Sequence, residues 1–131
     1  TSSDWVGVDT SELSITYIVD ENVLNNIPDS SYNNTQEDVH PGATYNPIPW
    51  THDLPGNYTR ITKMIFTIEA YDVDNANYIP VYANGVKLGY LSGFNDNKWA
   101  VDLFIITDKN KLMSITNNNT AKTVGMIVMS Q

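Results

Sequence analysis

Apolar and polar positions alternate through much of this chain. Met64, Phe66, Ile68 and Ala70 interleave with Ile65, Thr67 and Glu69, the two-residue period of a strand with one face in a core. A turn at residues 72–77 (DVDNAN) follows, and residues 78–83 read as a strand pairing back. Asn84-Gly85 is the strongest short hairpin signal in the sequence, because both central positions of such a turn tolerate positive φ. Residues 87–91 form the return strand, and 93–97 a polar loop. Residues 99–107 (WAVDLFIIT) and 123–129 (TVGMIVM) read as two further strands, and 14–19 (SITYIV) as an early one closed by Asp20-Glu21-Asn22. Only residues 111–114 allow a short helical turn.

Between residues 28 and 57 this pattern is lost. Pro28, Pro41, Pro47, Pro49 and Pro55 fall there among Ser, Asn and Asp. The segment reads as one long Pro/Asn-rich loop, of the kind that is usually functional. The whole predicts an all-β fold: an antiparallel β-sandwich or jelly roll of seven or eight strands. Residues 1–131 are expected to form a single domain, long enough to bury a core.

Composition narrows the function classes. The net charge is −8, with only seven Lys and Arg. That disfavours nucleic acid, whose phosphates need neutralising, and anionic lipid. With no apolar run near 18 residues, membrane insertion by a helix is not expected. Absence of cysteine removes disulfides, thiol nucleophiles and zinc-thiolate sites. The N-terminus shows no signal peptide, and it begins with Thr rather than Met, which reads as a processed or excised chain.

Three sets of residues carry candidate chemistry. Asp72, Asp74, Asn75 and Asn77 place alternating oxygen ligands on one turn, as Ca²⁺ requires. It is not an EF-hand, since Ala76 and Ala83 stand where that loop needs an oxygen and a Glu. Asp/Asn turns also form simply by satisfying their own backbone. Tyr45, Trp50, His52 and Tyr58 form the second set, as aromatic rings can stack on sugars while polar neighbours hold hydroxyls. Their competing role is to plug the end of the sandwich. His40 and His52, twelve apart, are the third and a weak metal signal. No G-x-S-x-G, H-E-x-x-H or phosphate loop occurs, so no enzyme is expected.

Ala70-Tyr71-Asp72-Val73-Asp74, then Val81-Tyr82, Asn84-Gly85, Leu88-Gly89, Leu91, Gly93, Asn95 and Trp99, follow the pattern AYDVD…VYxNGxxLGxLxGxNxxW. This stretch, residues 65–99, resembles a β-sandwich module of bacterial secreted, surface-anchored and adhesin-like proteins. The resemblance implies an extracellular, jelly-roll-like module that binds sugar or mediates attachment, with structural Ca²⁺ held by Asp72 and Asp74. The chain departs from the pattern at Asn77 and Ile79-Pro80, where the module carries acidic residues; Pro80 marks an edge strand or a bulge. The expected function is a non-catalytic extracellular or cell-surface module recognising carbohydrate or a cell-surface glycan. The alternative is a structural protein of a virion or surface layer, such as a phage tail or capsid decoration module, with protein neighbours as partners.

Overall fold

The computed structural model describes residues 5–19, 30–73, 78–92, 98–116 and 122–129. Among the described residues nine strands form two antiparallel sheets, as the all-β reading predicts. The first sheet contains β1 (Val6–Ile18), β2 (Ser30–Gln36), β3 (His40–Thr44), β5 (Arg60–Tyr71) and β8 (Trp99–Ile106) in the order β2-β1-β5-β8, with β3 also on β1. The second orders β4 (Ile48–Asp53), β9 (Thr123–Val128), β6 (Pro80–Ala83) and β7 (Val86–Tyr90) as β4-β9-β6-β7. Helix α1 (Lys109–Thr116) follows β8.

The core lies between the sheets. Leu13, Ile15, Met64, Phe66 and Ile68 face Ile48, Val81, Val124, Met126 and Val128, all buried. Their partners one position along, such as Glu12 and Thr67, lie on the outer face. The same alternation runs through β1 from Ser11 to Tyr17.

The long loop expected over residues 28–57 is corrected: β2, β3 and β4 occupy most of it. Its prolines and polar residues suit edge positions. The β4 strand, with Pro49, is an edge of the second sheet and pairs only with β9 among the described residues. Strand β2 (SSYNNTQ) pairs along β1 from Ser11↔Gln36 to Tyr17↔Ser30 with few apolar side chains to reveal it. Pro80 opens β6, an interior strand, and a register shift follows between Val81 and Tyr82, so the bulge reading holds and the edge reading does not.

The hairpin turn is as expected: Asn84 (φ 45°) and Gly85 (φ 81°) both adopt left-handed conformations. Asn84 does more than turn the chain. Its Nδ2 donates to the carbonyls of Ile115 (2.6 Å) and Thr123 (3.1 Å), and its Oδ1 accepts from the Gly125 amide at 2.7 Å. One side chain thus ties the hairpin to β9 and to the C-terminal end of α1, whose orphan carbonyls need such a donor. At the other end of α1, the Asp108 carboxylate caps the Lys111 amide at 2.9 Å.

Candidate binding surface

Tyr45, Trp50, His52 and Tyr58 do not form one cluster. Trp50 and His52 point between the sheets, which removes His52 from any ligand surface. It is fully buried, as is Ser11. The Ser11 hydroxyl lies 2.7 Å from His52 Nε2, and Trp50 Nε1 donates to the same nitrogen at 3.4 Å. An indole N–H can only donate, so Nε2 is the acceptor and the ring proton is on Nδ1. From there it donates to Asn34 Oδ1 at 2.7 Å, an oxygen that also accepts from Gln36 Nε2 at 3.2 Å. Each ring nitrogen is satisfied in the neutral form. Burial lowers the His52 pKa from 6.5 to about 4, and the Asp53 carboxylate opposes that only in part.

Ser-His-Asn in this order resembles a nucleophile, base and orienting group. Here, however, hydroxyl and imidazole are both sealed in the core. The arrangement fastens β4 of one sheet to β1 and β2 of the other.

Tyr45 and Tyr58 lie at opposite ends of the first sheet. Tyr45 packs edge-on against Trp5, ring centroids 4.4 Å apart and planes at 63°. At the same end, Gly7, Tyr71 and Trp99 fall in register across β1, β5 and β8. The Tyr71 and Trp99 rings are 4.9 Å apart, tilted by 43°. Trp5, Tyr45 and Trp99 are each more than 40% exposed. Two ring pairs therefore mark one end of the sheet; from strand spacings, the Cα atoms of Trp5 and Trp99 are about 12 Å apart. Polar groups lie among them: half-buried Glu69, whose Oε1 accepts from Thr10 at 3.4 Å, and exposed His40, whose Nδ1 donates to the Gly42 carbonyl at 2.6 Å.

Sequence reasoning selected Tyr45 but missed Trp5, Tyr71 and Trp99. For Trp99 there was a signal, since residues 99–106 are apolar on both faces of the strand. For Trp5 there was none, because its partner Tyr45 is 40 residues away.

Tyr58, about 40 Å along β5 from this end, borders a cavity of about 340 Å³ between the start of β5 and α1. Ile61, Leu112 and Met113 form apolar wall, with Arg60 and Lys109 at the lining. Lys122 Nζ stands 4.5 Å from the Tyr58 ring centre, and burial raises the phenol pKa.

Of the turn expected to hold Ca²⁺, only Asp72 is among the described residues; Asp74, Asn75 and Asn77 lie outside them. Asp72 is left-handed (φ 64°), and its amide donates to the Lys98 carbonyl at 3.0 Å. Among the described residues no three His, Cys, Asp or Glu gather as a metal group, and no helix is long and apolar enough to cross a membrane.

Comparison with protein families, curated proteins and solved structures finds no match for this chain.

Proposed function

We propose that this chain is a non-catalytic binding module of an extracellular or cell-surface protein, taking carbohydrate at the aromatic end of its first sheet. One observation carries the reading: the ring pairs Trp5–Tyr45 and Tyr71–Trp99 lie at the same end of the sheet, with Trp5, Tyr45 and Trp99 exposed and Tyr71 half-buried. Aromatic rings offer a flat apolar surface with a negative face and little side-chain freedom to lose. They suit the C–H faces of sugar rings, while Glu69, Thr10 and His40 offer partners for hydroxyls. The burial of Ser11 and His52 supports a module without catalysis.

Glycan-array binding tests this. Retention of one glycan class, lost in Trp99→Ala and Trp5→Ala but kept in Tyr58→Ala at the far end, is the expected result. No binding across a broad array, or binding unaffected by the two tryptophan substitutions, overturns it.

Structural Ca²⁺ at Asp72, Asp74, Asn75 and Asn77 is a separate part of the proposal, supported by the run of oxygen ligands beside Tyr71. A melt in 1 mM Ca²⁺ against excess EDTA is expected to differ by several degrees, for stabilisation of about 3 kcal/mol at a hundredfold excess over Kd. Identical melts remove the metal and leave the carbohydrate reading standing. The second reading, a virion or surface-layer component, is favoured by a different observation, the apolar row on β8.

A further inference from the structure

We infer that β8 is a docking edge for β8 of a second copy of this chain, joining two first sheets into one continuous sheet. This rests on the strand itself and is independent of the carbohydrate reading.

The composition of β8 is that of a strand covered on both faces. Yet it ends its sheet, and its outer row stands in solvent: Val101, Leu103 and Ile105 are 55–58% exposed and Trp99 43%. The register with β5 runs unbroken from Met64↔Ile106 to Tyr71↔Trp99, and the next pair, Asp72 with Lys98, is hydrogen-bonded. Bonded pairs alternate along an antiparallel ladder. Residues 100, 102, 104 and 106 therefore turn their backbone groups toward β5. The N–H and C=O of Trp99, Val101, Leu103 and Ile105 face the open side, where no strand pairs among the described residues.

Native sheets blunt such edges with Pro, Lys, polar residues or bulges. The other outer strands do so: β2 is polar, β4 carries Pro49, and β7 carries Lys87 and borders the bulge at Val81/Tyr82. On β8 only Asp102 acts this way. Its inward carboxylate accepts the Ser92 amide at 3.1 Å.

The sequence of β8 also selects its occupant. Opposed residues in an antiparallel pair point to the same face, so a twofold axis must pass through a residue. An axis at Asp102 sets two carboxylates opposite each other, which is unfavourable. An axis at Phe104 pairs only residues 102–106 of the strand with one another. At Leu103, residues 100–106 pair; Val101 meets Ile105 of the partner subunit, and Leu103 meets its own copy. The apolar rows merge into one stripe on the outer face, where cross-strand contact among Val101, Leu103 and Ile105 shields part of each side chain. Lys98 then stands opposite Asp108 of the partner subunit, twice by symmetry, and both residues are exposed. This self-complementarity argues for a second copy over an unrelated strand. The edge buries on the order of 1,000 Å² in total, which is small for a specific interface, so the dimer is expected to be concentration-dependent in the micromolar range.

Sedimentation equilibrium on the full chain, up to about 0.5 mM protein at about 0.15 M salt to screen the charge of −8, tests this. A monomer–dimer equilibrium is expected. Leu103→Pro removes an outward N–H only, leaves the β5 ladder intact, and is expected to weaken the dimer about tenfold or more, through two bonds lost across the axis. Far-UV circular dichroism confirms its fold. Lys98→Asp and Asp108→Lys, the latter also losing the cap on α1 and checked for fold in the same way, are each expected to weaken association, and their equimolar mixture to restore it, because the mixed dimer regains both opposite-charge pairs. A wild type that stays monomeric overturns the inference, leaving the edge to another protein's strand. A dimer indifferent to Leu103→Pro, or a mixture no tighter than its components, overturns it too.

Discussion

The two sides of the sandwich are built on opposite terms. On the side of β2 and β4, polar groups meet inside: Ser11, His52, Asn34, Gln36 and Trp50 satisfy one another across the gap. On the side of β8 and β7, the inner contact is apolar apart from the Asp102 carboxylate on the Ser92 amide, and a side-chain carbon at Gly89 would come within 3.0 Å of the Phe104 ring. There it is the outer surface that carries unpartnered apolar groups. A buried network with all its members paired fixes one alignment of the sheets, because any shift leaves a donor or acceptor without a partner. An exposed apolar row fixes nothing inside the fold. Substitutions are therefore expected to be costly on the first side and cheap on the second.

The largest effect is expected from His52→Ala. It opens a cavity, strands the buried Ser11 hydroxyl and takes the acceptor from the half-buried Trp50 N–H, while Asn34 Oδ1 keeps only Gln36 Nε2, at a cost of about 3 kcal/mol. Urea unfolding reads that directly; a loss below about 1 kcal/mol would mean that the network does not hold the sheets.

Acid gives a finer test of the same side. With a folded pKa of about 4 against 6.5 unfolded, His52 is held neutral, so its contribution is complete above pH 6.5 and is lost as pH falls toward 4. Between pH 7 and pH 5 the expected loss is about 2 kcal/mol. Comparing wild type with His52→Gln at both values isolates this contribution from the carboxylates, because the variant lacks the imidazole and should show a smaller loss. Equal losses would contradict a buried neutral imidazole.

The smallest effects belong to the other side. Val101→Thr, Leu103→Thr and Ile105→Thr keep strand propensity on an exposed face and are expected to change monomer stability by less than about 0.5 kcal/mol each. Measurement below the dimer's working concentration checks this, and a loss above about 1 kcal/mol would mean the row is covered within the monomer.

How legible each part was follows from the distance over which its cause acts. The Asn84-Gly85 turn and the alternation of residues 64–70 were readable because neighbouring residues set them. Residues 30–53 looked featureless because their strands are polar or proline-bearing edges defined by remote partners, as in Asn33↔Ser14 and Thr51↔Gly125. His52 was read as a surface ligand because loop histidines usually are exposed; the hydroxyl that buries it lies 41 residues away. Residues 99–106 were readable as a strand, but not as an edge, since strand order is a property of the whole chain. The aromatic end was half legible: Tyr45 was selected, while the register that brings Tyr71 beside Trp99 could not be read locally.

That aromatic end is where the functional reading is most exposed to contradiction. Affinity electrophoresis through gels containing soluble polysaccharides, with wild type, Trp99→Ala and Tyr58→Ala run side by side, tests it most directly. Retardation of wild type and Tyr58→Ala in one polysaccharide, with Trp99→Ala migrating as in a blank gel, is the predicted result. Equal migration of all three in every gel would contradict it.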